Sequence, residues 1–122
     1  MKYHNTKLTT PDGKFDSKYE YEEWCRLKLL ERGKAISELQ RQVPFELIPT
    51  IKTTAGTLRG IKYIADFVYV ENGIVKVVDT KGFETDLYNL KKRLFISRYI
   101  NDGSAFIERK KGKPDKIYQK IY

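Results

Sequence analysis

Residues 61–81, IKYIADFVYVENGIVKVVDTK, decide how this chain folds. Two runs rich in β-branched and aromatic residues flank Asn72-Gly73, the dipeptide best suited to a two-residue hairpin turn. That turn sets Glu71 opposite Ile74 and Val70 opposite Val75. Carried down the ladder, it sets Asp66 opposite Asp79, with Cβ atoms roughly 4.5–5.5 Å apart. The register rests on the turn, because a slip of one residue sends every side chain to the other face. Alternate residues of a strand share a face, so Val77, Asp79 and Lys81 are expected to point one way. Two acids facing each other between apolar neighbours raise one carboxyl pKa unless a cation lies between them. Their desolvation has no purpose in a purely structural hairpin.

Outward from the hairpin, Pro11-Asp12-Gly13 is a turn signal, so residues 7–15 read as a short hairpin or loop. A helix is expected from about Ser17 to Arg32, stopped by Gly33. RQVPFELIPTIK (41–52) reads as a strand whose Pro44 and Pro49 suggest an edge position or a bulge. TTAGTLRG (53–60) reads as a polar loop, residues 85–100 as a second helix followed by Gly103, and SAFIERK (104–110) as a last short strand. KKGKPDK (110–116) is a charged loop, and IYQKIY (117–122) has no clear assignment. Helix, three strands, helix, strand describes an α/β (α+β) fold. A small mixed β-sheet with a central antiparallel hairpin is flanked by helices, in a single domain over 1–122.

The composition narrows the chemistry. The 122 residues suffice for one core, and 40% are hydrophobic and 13% aromatic. No apolar run approaches the roughly 18 residues of a membrane helix, and the first residues lack the apolar segment of a signal peptide. A cytoplasmic protein with no membrane partner is expected. Cys25 and His4 are the only residues of their kinds, which excludes a Cys/His zinc site and an intrachain disulfide. A metal here would sit on carboxylates, which favours Mg²⁺ or Mn²⁺. Lys and Arg number 24 against 16 acids, a net charge of +8 that suits a polyanion such as nucleic acid.

Helical spacing adds further candidates. On the first helix Glu20 falls between Trp24 and Leu27 in an apolar stripe, whereas Glu22 points away and Glu23 lies at the margin. Ser17 and Glu20 also have capping-box spacing, a local role that does not exclude the first. On the second helix Lys91 joins the stripe of Leu87, Leu94 and Phe95, either facing the site or snorkelling, while Lys92 and Arg93 turn outward. Arg98 shares the stripe. Gln42 can point an amide at the same centre or decorate a strand face.

Asp66, then Asp79-x-Lys81, with Glu20 upstream on a helix, resembles the PD-(D/E)xK nuclease superfamily. The stretches DGKFDSKYE, RQVPFEL, KYIADFVY and VVDTKGFETDLYNLKKRLF are similar to those of small phage-encoded proteins assigned to that superfamily, and together span most of 12–95. One departure is Ala65 where the superfamily often has proline. The resemblance implies a restriction-endonuclease-like core and metal-dependent hydrolysis of DNA phosphodiesters. It makes Glu20, Asp66, Asp79 and Lys81 catalytic. Glu20, Asp66, Asp79 and the Thr80 carbonyl would hold one or two Mg²⁺ or Mn²⁺ ions, supported by Gln42 and Lys91. Lys81 would stabilise charge developing on the phosphate, and Gly82 would allow close approach of the DNA backbone.

Lys52, Arg59, Lys62, Lys92, Arg93 and the run from Lys110 to Lys116 are candidates for phosphate contacts, which position a duplex without reading its sequence. With no reading module in the chain, a structure-selective endonuclease of phage replication, recombination or packaging is expected. A Holliday-junction resolvase acting on branched DNA as a homodimer is the alternative of the same fold. A catalytically silent nucleic-acid-binding domain, or an interaction protein whose charge serves solubility, are the rivals from other classes.

Overall fold

The computed structural model describes residues 7–80 and 84–121. In chain order these form β1 (Leu8–Thr10), β2 (Gly13–Phe15), α1 (Lys18–Arg32), β3 (Ser37–Ile48), β4 (Ile51–Thr53), β5 (Gly56–Leu58), β6 (Ile61–Glu71), β7 (Ile74–Asp79), α2 (Asp86–Tyr99), β8 (Ser104–Glu108) and β9 (Lys116–Tyr118). The main sheet has the order β3-β6-β7-β8-β9, and β1-β2 and β4-β5 are separate hairpins. Among the described residues only β7 and β8 run parallel, joined by the α2 crossover that parallel pairing requires. The fold is α+β around a mixed sheet, as its sequence order implies.

The central hairpin forms in the expected register. Glu71 pairs with Ile74, Val70 with Val75 and Phe67 with Val78, and the regular pairing ends there, one position short of Asp66 and Asp79. Asn72 (φ 53) and Gly73 (φ 77) both take the left-handed conformation that a type I′ turn requires. Pro44 is accommodated because β3 is an edge strand. Helix α1 begins at Ser17, whose Oγ accepts from the Glu20 amide at 3.1 Å, and ends at Gly33. Thr85 caps α2 in the same way through Tyr88.

Two readings are corrected. TTAGTLRG is not a loop: its central residues build β5, and Ile51, Lys52 and Thr53 pair with Leu58, Thr57 and Gly56. Lys116, read with the charged loop, and the start of IYQKIY form β9, which pairs with β8 as a fifth strand. Both segments are too short and too polar for hydrophobic alternation to reveal them.

The helices cover opposite faces of the sheet. Leu47, Tyr63, Ala65, Val77, Ile100 and Phe106 pack around Phe95 of α2. Ile36, Phe67, Tyr69, Val78 and Ile107 pack around Leu27 of α1, with Trp24 stacked on Phe67. Burying an aromatic side chain such as Phe95 contributes about 2–3 kcal/mol, so both layers hold the sheet firmly. Strand β6 serves both: Tyr63 and Ala65 belong to the α2 layer, Phe67 and Tyr69 to the α1 layer. Residues of one parity therefore change faces between Ala65 and Phe67, which a regular strand cannot do. The change falls at Asp66.

Candidate carboxylate site

Strand β3 shows what happens at that point. Arg41 pairs with Phe67 and Val43 with Ala65, so Gln42 lies opposite Asp66. Gln42 has φ 54, one of two left-handed residues in β3; the other, Glu38 (φ 55), lies near the strand's start. A non-glycine residue there is strained, and such strain concentrates at functional sites. The result is a face change in both strands at Asp66, whose carboxylate lies against Glu20 of α1.

Asp66 is 2% exposed and heavily hydrogen-bonded. The Thr80 amide and hydroxyl donate to its Oδ2 at 2.7 and 2.8 Å, and the Gln42 amide donates to Oδ1 at 3.3 Å. Asp79, also 2% exposed, accepts the Tyr63 hydroxyl on Oδ2 at 2.7 Å. Its carbonyl accepts the Arg109 amide at 2.9 Å, which fixes the end of β7. Burial, and then the Asp79 charge, push the Tyr63 phenol far above its ordinary pKa, so it stays a donor.

Glu20 completes the group from α1. At 3% exposure its carboxyl is pushed up to about 7 by burial and by Asp66, with a smaller push from Asp16; Arg41 opposes the rise. The Arg41 guanidinium stands 3.6 Å from Oε1, beyond hydrogen-bonding distance, and that oxygen has no hydrogen-bond partner among the described residues. Arg41 is itself held by the Phe15 ring at 3.8 Å and the Lys14 carbonyl at 2.5 Å. Ser17 Oγ accepts from the Glu20 backbone while the Glu20 carboxyl faces Asp66, so capping and site geometry coexist.

Glu20, Gln42, Asp66 and Thr80 are thus brought together, with Asp79 beside them at the end of the neighbouring strand. Lys81 and Gly82 lie outside the described residues. Lys91 is half-buried and makes no hydrogen bond or ion pair among the described residues. Arg98 donates to the Leu47 carbonyl at 2.6 Å and ties α2 to β3. Lys52, Arg59, Lys62 and Arg93 are exposed. Among the described residues, no group of three or more His, Cys, Asp or Glu side chains is arranged to hold a metal ion.

Two orientations expected from helical spacing are corrected. Lys92 does not turn outward: it is buried and donates to Glu108 at 3.2 Å and to the Tyr118 hydroxyl at 3.3 Å. Its role as a phosphate contact is therefore withdrawn. Glu23 is not marginal but buried, accepting from Arg26 Nε and Nη2 and from Arg109 at 2.6 Å. In both cases a buried partner of opposite charge, distant in sequence, draws the side chain inward.

Sequence reasoning missed Glu108. It pairs with Asp79 across the parallel β7–β8 ladder and accepts from Tyr88 at 2.6 Å and Tyr118 at 2.9 Å. Burial raises its pKa, but these two hydroxyls and Lys92 outweigh that and leave it lowered. The available signal was the crossover: a strand after the second helix, parallel to VVD, sets its own acid level with Asp79.

A protein-family model for a protein of unknown function, DUF1064, matches residues 1–113. The chain belongs to the DUF1064 family. The match to DUF1064 runs through α1, the central hairpin, α2 and β8, and stops before β9. It therefore contains every residue of the carboxylate site, including Glu108. No curated protein and no solved structure matches the chain.

Proposed function

We propose that this protein is a metal-dependent DNA endonuclease of PD-(D/E)xK type, with Glu20, Asp66 and Asp79 at its centre. One observation carries the reading: Glu20 and Asp66 are buried against each other, and the Glu20 carboxyl is raised to about 7 with one oxygen lacking a hydrogen bond. An arrangement that disfavours the charged form of a buried carboxyl is expected where a ligand relieves it.

A hard divalent cation fits the chemistry of the donors. Glu20, Asp66, Asp79 and the Thr80 carbonyl offer oxygen only, the ligand type Mg²⁺ and Mn²⁺ take. The fit rests on the Glu20–Asp66 pair, since no three acidic side chains among the described residues form a ready metal group. When bound, the ion would neutralise phosphate charge and make water more acidic. The chain's own residues supply orientation. Thr80 and Gln42 hold Asp66, and Tyr63 holds Asp79, so both carboxylates are fixed before substrate arrives. Arg41 holds positive charge 3.6 Å from Glu20 Oε1 without hydrogen-bonding it. Lys81 is proposed as the cation at the scissile phosphate, following the resemblance of Asp79-Thr80-Lys81 to the superfamily motif.

The proposed substrate is DNA with structural rather than sequence preference, in phage replication, recombination or packaging, within the cytoplasm of a host. Resolution of four-way junctions by a homodimer is the narrower form of the same reading. A silent DNA-binding domain is the second reading, favoured by the lack of a ready three-carboxylate group among the described residues.

The deciding experiment is cleavage of labelled junction, flap, duplex and single-stranded DNA by wild type and Asp79→Asn, with Mg²⁺, Mn²⁺ or EDTA. Metal-dependent cutting lost in the variant supports the nuclease. Tight binding without cutting under either metal selects the silent domain.

A further inference from the structure

The β4–β5 hairpin is ordered without being buried. Every residue from 49 to 60 is exposed, yet the ribbon closes with regular pairing. Isolated two-stranded ribbons are only marginally stable in water, so local devices must hold this one. Thr53 Oγ1 accepts from the Ala55 amide at 3.1 Å and donates to the Gly56 carbonyl at 2.8 Å, tightening the turn. At the base the Gly60 amide donates to Thr50 Oγ1 at 3.0 Å. A Cβ on Gly60 would stand 2.7 Å from the Ile48 carbonyl oxygen and 3.0 Å from the Thr50 amide, so only glycine allows this closure.

The hairpin displays an unusual surface. Ile51 and Leu58 are cross-strand partners, 46% and 59% exposed, and belong to neither core cluster. No acid occurs between Glu46 and Asp66, whereas Lys52, Arg59 and Lys62 are all exposed on the hairpin and the strand that leaves it. An apolar pair among cations, with Glu46 opposite Lys62 the one acid beside them in the β3–β6 register, complements a polyanion that also presents apolar sugar and base edges. Duplex DNA is that ligand: its grooves admit a two-stranded ribbon, and its phosphates take the Lys and Arg side chains. The ribbon also lies within reach of the carboxylates. Ile61 precedes Asp66 by five positions of one strand, roughly 17 Å, about half the 34 Å helical turn of DNA.

We infer that the β4–β5 hairpin is a DNA-gripping element that seats a duplex beside the carboxylate site, with Lys52, Arg59 and Lys62 on phosphates and the Ile51–Leu58 pair in the groove. The inference rests on the nucleic-acid reading above but not on catalysis.

Binding of a fluorescein-labelled duplex, read by anisotropy across a salt series in EDTA, separates the two. Lys52→Gln, Arg59→Gln and Lys62→Gln should each weaken binding and lower the magnitude of the salt slope by about 1. Ile51→Ser/Leu58→Ser should weaken binding several-fold with the slope unchanged. All five positions are exposed, and far-UV circular dichroism confirms that the variants keep the fold. Unchanged affinity and slope in every variant would overturn the hairpin's role, even if the wild type cuts DNA in Mg²⁺. Affected binding with no cutting by the wild type would support the hairpin and sink the nuclease. Loss of a wild-type dimer in Ile51→Ser/Leu58→Ser, with DNA binding intact, would assign the pair to a second copy of the chain and overturn the proposal.

Discussion

Gln42 and Asp66 face each other where β3 and β6 change the layer they serve, and Gln42 holds the left-handed φ of 54 while its amide reaches Asp66 at 3.3 Å. The strained backbone and the hydrogen bond mark the point at which the strands change faces and a carboxylate meets Glu20 of α1.

Substitutions at Gln42 separate backbone from side chain. Gln42→Ala keeps the strain and loses the amide, whereas Gln42→Gly loses both. A non-glycine residue in the left-handed region costs about 1 kcal/mol or more, so Gln42→Gly should be the more stable of the two in urea denaturation. Both should lower DNA cleavage, because Asp66 loses a donor. Equal stability of the two variants would remove the argument from strain.

The raised pKa of Glu20 sets a pH dependence. Its folded carboxyl titrates near 7, above the ordinary 4.5, because burial and Asp66 disfavour the charged form. The folded state therefore holds this proton more tightly than the unfolded chain. Its contribution to stability is complete below about 4.5 and is lost as pH rises toward 7. Glu20→Gln should flatten that part of the stability profile and raise the melting temperature at pH 8. In the wild type, Mg²⁺ or Mn²⁺ should raise stability at pH 8 and shift the Glu20 carboxyl NMR titration downward. A profile identical in wild type and Glu20→Gln would place the carboxyl outside this coupling.

Lys92 is expected to act through folding rather than DNA contact. Lys92→Met leaves Glu108 buried without its cation, a loss of about 3–5 kcal/mol by analogy with broken buried pairs. The double variant Lys92→Met/Glu108→Gln should recover much of that loss in a double-mutant cycle. The salt slope of DNA binding should not change in the double variant, which a phosphate contact would require.

Tyr63→Phe removes only the hydroxyl that donates to Asp79. Leaving a buried carboxylate short of that donor should cost about 1–3 kcal/mol. Cleavage should fall more than DNA binding, since the change disorients Asp79 without altering surface charge. Equal loss in both would point to general unfolding of the site.

What the sequence determined was local. Asn72-Gly73 dictated the turn and hence the register that runs to Phe67 and Val78, just before Asp66 and Asp79; Ser17, Gly33 and Thr85 delimited the helices; the apolar stripe around Glu20 turned that acid inward. Turn chemistry, capping and periodicity act over a few residues, so the chain alone carries them. The placement of Glu108 beside Asp79, the burial of Lys92 and Glu23, and the face change at Gln42–Asp66 were decided only in the tertiary structure. Each depends on a partner many residues away: a parallel strand, an opposite charge, or two helices competing for the two faces of one sheet. Local spacing cannot rank such partners, because their attraction and desolvation exist only once the layers have closed.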